Sequence, residues 1–190
     1  MINQPVQRKQ VLIAALAIFV VAFGMRLLSQ HDTQRDVWKV QTVVAQDYQR
    51  MARLLREGGV GGFFSSSGPL ADPNMLGHPP GYPIVIAVVW KLFGESDRSI
   101  QLFQILIDSL AAVFVFLIAI EFLPFAVGVI AGALVALAPQ FTWNSVLLLP
   151  DTLAVFPLML AVYCLARAMK RPRLLTLILA GAFIGVSCWL

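Results

Sequence analysis

The chain has 190 residues, of which 59% are hydrophobic and only 13% are charged. Soluble domains usually carry about 25% charged residues, so this composition excludes an ordinary soluble enzyme and indicates a membrane protein. The net charge of +4 does not indicate nucleic-acid binding, because the basic residues fall at the edges of apolar segments. Cys164 and Cys188 lie within apolar segments, and we expect both to be small buried residues without a metal or disulfide.

The apolar segments have the length of membrane helices. A helix needs about 20 predominantly apolar residues to cross the hydrocarbon core. The predicted spans are residues 11–28, 100–123, 125–139, 152–169 and 174–190. We therefore predict an all-α polytopic membrane protein with about five transmembrane helices. We interpret residues 1–190 as the N-terminal part of one transmembrane domain.

The connection between the second and third predicted spans is very short. Pro124 lies in this turn, so the two helices are expected to form a tight antiparallel pair. Gly128 and Gly132 on the third span would allow the helices to approach closely.

The distribution of basic residues predicts the orientation. Arg8 and Lys9 precede the first span, and another basic group, residues 167–173, separates the fourth span from the fifth. Five alternating spans put both groups on one side, which the positive-inside rule makes the cytoplasm. The long polar stretch 29–98 then faces outward. Arg26, near the end of the first span, is expected to extend to the membrane interface.

Residues 37–57 have the pattern of an amphipathic helix. Its apolar stripe, with helical spacing, is Val37, Val40, Val44, Tyr48, Met51 and Leu55. Gln49 falls on the polar side, and Gly58-Gly59 is expected to end the helix. A half-apolar helix beside a membrane span is expected to lie on the membrane surface. The apolar stretch 84–93 is too short to cross a membrane and is predicted to be interfacial or re-entrant.

Two acids on the predicted outward side could take part in catalysis. Asp47 lies on the flank of the apolar stripe, where a partly desolvated carboxylate could act as a general base. It could instead form a surface ion pair with Arg50, one helical turn away. Asp151 opens the fourth predicted span, where an acid commonly stabilises a helix N-terminus. Together the two acids could also form one outward-facing reaction site.

Two further ionisable residues have alternative interpretations. Asp108 lies within the second span, where an ionisable side chain is costly and therefore indicates a function. It could instead pack against a polar residue of another span. His78 precedes Pro79 and Pro80, and could bind an anionic group or cap a turn. The rigid backbone around these prolines would suit a cavity wall. No ligand cluster with metal spacing is visible, so we expect no metal and no cofactor.

Several short motifs follow one another in a specific order. They are Tyr48-x-x-x-Ala52-x-Leu54-Leu55-x-x-Gly58, His78-Pro-Pro-Gly-Tyr-Pro83, Leu92-Phe93-Gly94, Gln101-x-x-Gln104-x-Leu106, Ala136-Leu-Ala-Pro139, Leu149-Pro-Asp-Thr-Leu153 and Ala180-Gly-Ala-Phe-Ile-Gly185. This order resembles the membrane glycosyltransferases of the GT-C superfamily, in particular the protein mannosyltransferases and the lipid A aminoarabinose and galacturonic acid transferases.

The resemblance implies an activity and a location. Members of this superfamily transfer a sugar from a polyprenyl-phosphate donor to an acceptor at the outer face of the membrane. The expected partners are therefore that donor, membrane lipid, and a lipid, glycan or protein acceptor. The expected location is a cell membrane, most simply the bacterial inner membrane, with a cytoplasmic N-terminus. The first outward loop is expected to contain interfacial helices and the catalytic residues.

The resemblance also implies roles for individual residues. Asp47 would be the first-loop acid, and Asp151 would be the second, supporting acid. His78 would contact the donor phosphate, at a position where the family commonly has Lys or Arg. The residues expected to form the cavity wall are Tyr48, Pro79, Pro80 and Tyr82.

One feature departs from the family pattern. The first-loop acid of the family usually lies about one helical turn before the tyrosine, where this chain has Val44 or Ala45. Asp36 and Asp32 are therefore alternatives to Asp47 as the base. A non-catalytic or truncated relative that binds a lipid carrier is a second interpretation of the chain. A third interpretation is a transporter, which is indicated only by Asp108 within the second span.

Overall fold

The computed structural model describes residues 7–33, 37–65, 68 and 79–190 of the chain. Every regular element in this part of the chain is helical: α1 (Arg8–Thr33), α2 (Val37–Phe63), α3 (Gly81–Phe93), α4 (Asp97–Phe122), α5 (Phe125–Leu137), α6 (Pro139–Asn144), α7 (Pro150–Lys170) and α8 (Leu174–Trp189). The all-α prediction is confirmed. Asp36 and His78 lie outside the described residues.

The bundle has the character of a polytopic membrane protein. Among the described helices, α1, α4 and α7 are long and apolar enough to cross a membrane. The other two predicted spans correspond to α5 and α8, which are apolar but shorter. Helix α5 packs on α1 and α4, and α8 packs on α7. The shorter helices therefore extend the apolar surface of the three long ones.

The close pairing of α4 and α5 is confirmed. A short turn at Leu123 and Pro124 separates the two helices, which pack along their lengths. A Cβ atom at Gly132 would lie 2.7 Å from Ile18 Cδ1 and 2.9 Å from Phe116 Cβ. The absence of a side chain at this position therefore lets α5 approach α1 and α4 at once.

Arg26 does not extend to the interface as expected, because it is fully buried among α1, α4 and α5. Its Nε donates to Oδ2 of Asp108, and its Nη1 donates to the carbonyl oxygens of Ala22 (3.2 Å) and Ala136 (3.3 Å). Helix α5 ends at Leu137, just before Pro139, so Ala136 is one of the last-turn carbonyls without a helical partner. The guanidinium therefore neutralises an acid of α4 and caps the C-terminus of α5.

The helices bring the predicted basic groups to one end of the bundle. Gln30, late in α1, donates to Gln101, early in α4 (3.0 Å), so these two helices run antiparallel. At the other end of α4, Glu121 pairs with Arg167 (3.2 Å) and Lys170 (3.1 Å) of α7. The start of α1 and the ends of α4 and α7 thus form what we call the basic end. The opposite end, where α4 and α7 begin, is called the site end.

Helix α2 differs from the prediction in length and in the side that it buries. It continues beyond Gly58-Gly59 to Phe63. Val44, placed in the predicted stripe, is 40% exposed, whereas Gln49, placed on the polar side, is 6% exposed. The reason is tertiary: Gln49 Nε2 donates to Asp97 Oδ1 at the start of α4 (2.7 Å), which satisfies a polar side chain on the packed face.

The expectation that both cysteines are buried is wrong. Cys164 is only partly buried and Cys188 is exposed. Cys188 lies on the outside of a bundle that has many exposed apolar side chains. An apolar sequence context in a membrane protein does not distinguish the surface that faces lipid from the protein interior.

Candidate active site

Two buried tyrosines meet at the site end of the bundle. Tyr48 of α2 and Tyr82 of α3 pack edge to face, with ring centroids 4.9 Å apart. Their relative exposures are 4% and 0%. The rings belong to a core that also contains Leu148 and Leu153, which flank the start of α7. Helices from the polar stretch and from the membrane bundle therefore share one core at this site.

Asp151 lies beside this tyrosine pair. It occupies the first turn of α7, directly after Pro150, and is exposed. Burial raises the pKa of Tyr48, and the negative charge of Asp151 raises it further. The pKa of Tyr82 is raised well above its ordinary value by burial, and then by the charges of Tyr48, Asp97 and Asp151. Both phenols therefore stay protonated near neutral pH and can donate hydrogen bonds.

Asp47 precedes Tyr48 on α2 and is half-buried. The structure thus has one predicted acid on α2 next to a tyrosine of the pair, and the other at the start of α7. Of the alternatives to Asp47, Asp32 is exposed at the end of α1, with Oδ1 3.4 Å from Nδ1 of His31. Whether Asp47 and Asp151 are catalytic stays a prediction.

The double proline leads directly into the site. Pro79 and Pro80 are partly buried, and α3 begins at Gly81, immediately before Tyr82. A Cβ atom at Gly81 would lie 2.5 Å from the carbonyl oxygen of Trp189. The end of α8 therefore packs against the first residue of α3, and only glycine permits this approach. The predicted cavity-wall residues thus gather at the start of α3.

Two glutamines of α4 join the elements of the site, and the sequence motif had not revealed their role. Gln104 is fully buried; it accepts from the Tyr82 hydroxyl (3.0 Å) and donates to the carbonyl of Leu147 (2.8 Å). Gln101 donates to the carbonyl of Val146 (3.0 Å). The available signal was the spacing: two amide side chains one helical turn apart within an apolar span need buried partners.

Basic side chains of α2 surround the turn before α4. Glu95 accepts from Arg53 Nε (2.8 Å) and Arg56 Nη1 (2.6 Å). These hydrogen bonds and charges lower the pKa of Glu95, with the bond from Arg53 as the largest cause. The Arg53 guanidinium also stacks over Trp90, 5.5 Å from the ring centroid. These contacts fasten α2 to α3 and α4, and thereby hold Tyr48 against its partner ring.

Asp108 is not part of this site. Its carboxylate is paired with Arg26 inside the bundle, which is the alternative interpretation that the sequence left open. The one indication of a transporter is thereby explained by helix packing. Within the described residues, no group of three or more His, Cys, Asp or Glu side chains is arranged to hold a metal ion.

The chain, whose bundle carries an acid and a tyrosine pair at one end, is a membrane glycosyltransferase of the GT-C type. This assignment is based on a match to a family model. Residues 77–189, more than half of the chain, match the family described as dolichyl-phosphate-mannose-protein mannosyltransferase. The chain belongs to this family, so the resemblance seen in the sequence is confirmed. No curated protein and no solved structure matches the chain. At a coarse level, the family implies a lipid-linked sugar donor and a glycan or protein acceptor.

Proposed function

We propose that this chain is the N-terminal part of an inverting glycosyltransferase that moves a sugar from a polyprenyl-phosphate donor to a lipid, glycan or protein acceptor at the outer face of a cell membrane. The observation that carries the proposal is an acid in the first turn of α7, two residues before Leu153, which shares one core with the buried tyrosine pair, in a chain of this family. Asp151 is exposed at that point, so a substrate can reach it from outside the bundle.

The chemistry needs one base and positive charge at the phosphate. The bond between the anomeric carbon and the phosphate oxygen breaks, and a bond from the acceptor oxygen to that carbon forms. The phosphate leaves with its negative charge and needs no proton, whereas the acceptor hydroxyl gives its proton to a base. In this proposal Asp47 is the base, Asp151 orients the acceptor, and His78 contacts the departing phosphate. The buried phenols of Tyr48 and Tyr82 would support the wall of the cavity from behind.

An apolar groove beside the site supports a polyprenyl donor. It lies between α3, α4, α7 and α8 and has a volume of about 270 Å³. Val85, one turn after Tyr82, and Leu153, shortly after Asp151, are at its site end. Phe156 continues the lining along α7. A hydrocarbon chain in this groove would follow α7 while its phosphate stays near Asp151.

The proposed orientation follows from the two ends of the bundle. The basic end carries the positive side chains of α7 together with the start of α1. A cytoplasmic basic end puts the site end, and the acids on it, at the outer face. In a bacterium this is the inner membrane, with the acceptor supplied from the cell envelope.

The test is the sugar composition of the cell envelope after deletion of the gene. We expect one envelope sugar to be lost, and to be restored by the full-length gene. Asp47→Asn keeps the shape of the side chain but removes proton acceptance, so it should lower transfer by about 10²–10⁴-fold. Asp151→Asn removes the charge that orients the acceptor and should lower transfer by about 10²-fold. Glu57→Gln, at an exposed position on the same helix as Asp47, is the matched control and should restore the sugar fully.

Each assignment can fail separately. A normal rate in Asp47→Asn would remove that residue as the base and pass the role to its alternatives, Asp36 and Asp32. Unchanged envelope sugars after deletion, with a lipid carrier still bound by the purified protein, would establish the non-catalytic interpretation.

A further inference from the structure

The segment between α6 and α7 is held by side chains of α4 in addition to its own backbone turn, in which Val146 N and Leu147 N donate to the carbonyl oxygens of Trp143 and Asn144 (3.1 Å each). Gln101 Nε2 donates to the carbonyl oxygen of Val146 (3.0 Å), and Gln104 Nε2 donates to those of Leu147 (2.8 Å) and Leu149 (3.4 Å). These carbonyls precede α7, which begins at Pro150, so they lie outside the helices. The two amides therefore help to set the conformation of the backbone that leads into Asp151.

The same amide of Gln104 reaches the other half of the site. Its Oε1 accepts from the Tyr82 hydroxyl at 3.0 Å, while its Nε2 holds Leu147. A glutamine amide has both an acceptor and a donor group, so one side chain can join a tyrosine to a carbonyl. The start of α3, with Pro79 and Pro80, and the start of α7, with Asp151, are thus connected through one side chain.

The connection is anchored to α1 as well. Gln30 Nε2 donates to Gln101 Oε1 (3.0 Å), and both residues are buried, with 4% and 7% exposure. Thr152 Oγ1 donates to the carbonyl of Asn144 (2.8 Å), which closes the same segment from α7. Each buried amide has its partners, as a network of this kind requires if it is to fix one geometry.

We propose that Gln104, supported by Gln101, is a positioning residue for sugar transfer: it fixes the acid at the start of α7 relative to Tyr82 and the double proline. The inference rests on the proposed function, because a fixed distance between the start of α3 and the start of α7 matters only if sugar transfer takes place between them. A displacement of about 1 Å between reacting groups can cost about 10²-fold in rate. An apolar residue at position 104 would fill the same volume but leave the two segments unconnected.

The experiment compares three variants of the full-length protein in membranes of the deletion strain, with the cells' own lipid-linked sugar as donor. Gln104→Met keeps the size of the side chain and removes its three hydrogen bonds, those with Tyr82, Leu147 and Leu149. Gln104→Glu keeps the acceptor for Tyr82, but donates to Leu147 only when the new carboxyl group is protonated. Gln140→Met is the matched control, because Gln140 is an exposed glutamine of α6 whose Nε2 donates to Asn144 Oδ1 within the same helix (3.3 Å).

We expect Gln104→Met to reduce the initial transfer rate by about 10²-fold at an unchanged amount of folded protein, with Gln140→Met at the wild-type rate. We expect Gln104→Glu to be slow at high pH and to recover towards the wild-type rate as the pH is lowered. The titratable groups around Tyr82 are Tyr48, Asp97 and Asp151. They are present in the wild type as well, so the difference between the two pH profiles reports position 104 alone.

The outcomes separate this inference from the proposed function. A wild-type rate in folded Gln104→Met, with Asp151→Asn inactive, would overturn the positioning role alone. A wild-type rate in Asp151→Asn would overturn the site and the positioning role together. If Gln104→Met does not fold, the pH profile of Gln104→Glu decides: a profile parallel to that of the wild type refutes the inference.

Discussion

The buried pair of Arg26 and Asp108 makes a specific prediction about stability. Removing the acid by Asp108→Leu leaves a fully buried guanidinium without its counter-ion. Removing one partner of a buried ion pair typically costs about 3–5 kcal/mol, because arginine keeps its charge at any accessible pH. Arg26→Met should cost less, since a buried carboxyl group can become neutral by taking up a proton.

The double variant Arg26→Met/Asp108→Leu isolates the interaction. Replacing a whole buried ion pair by apolar residues is often neutral or stabilising. The remaining losses are the hydrogen bonds from Arg26 Nη1 to the carbonyl oxygens of Ala22 (3.2 Å) and Ala136 (3.3 Å), each worth about 1 kcal/mol. Within the described structure, Arg26 Nη2 already lacks a partner, which further reduces what the pair contributes. The two substitutions should therefore compensate each other by about 2 kcal/mol or more.

The assay is the free energy of unfolding in mixed detergent micelles as the fraction of denaturing detergent rises. Glu95→Gln is the surface control, because its partners Arg53 and Arg56 are half-exposed, and exposed ion pairs contribute about 0–1 kcal/mol. A loss of less than about 1 kcal/mol in Asp108→Leu would show that the guanidinium finds water or another partner. A double variant as unstable as the single one would show that the charge is not what matters at this position.

Further expectations concern packing at the site, its chemistry and the orientation. Gly81→Ala should reduce both the amount of folded protein and the transfer rate, because the new Cβ atom would lie 2.5 Å from the carbonyl oxygen of Trp189. Gly185→Ala is the control and should have no effect, because the space around Gly185 is open. Equal behaviour of the two variants would refute the close packing of α8 on α3. Asp47→Asn should lower transfer by about 10²–10⁴-fold and Asp151→Asn by about 10²-fold, as measured on envelope sugars. With the native cysteines replaced by serine, Glu57→Cys should react with a membrane-impermeant thiol reagent in intact cells. Pro172→Cys should react only after permeabilisation, and the reverse pattern would invert the proposed orientation.

The sequence by itself determined the class of the fold and much of its order along the chain. Apolar length and low charge demand helices in a membrane, because a lipid-exposed backbone must satisfy its own hydrogen bonds. Pro150 followed by Asp151 is a local signal for a helix start, and α7 begins there. The short turn at Pro124 likewise predicted the antiparallel pair of α4 and α5.

Local signals failed where packing decides the outcome. Gly58-Gly59 was expected to end α2, yet the helix continues to Phe63, because glycine lowers helix propensity by only about 1 kcal/mol and tertiary contacts can offset this cost. Val44 was expected to be buried and is exposed, whereas Gln49 was expected to be exposed and is buried. The hydrogen bond from Gln49 to Asp97 offsets the cost of burying the amide. Periodicity identifies an apolar stripe, but it does not reveal partners on other helices.

The candidate site likewise has some residues that local motifs indicated and some contacts that depend on helix packing. The sequence indicated Asp151, Tyr82 and the double proline, because their motifs are local and follow a family order. Only the tertiary structure showed that Asp151 lies beside the tyrosine pair and that Gln104 connects the start of α3 with the segment before α7. The partners of a buried amide come from segments distant in the chain, so their identity depends on how the helices pack. The sequence determined which polar groups enter the membrane bundle, and the packing determined which of them meet.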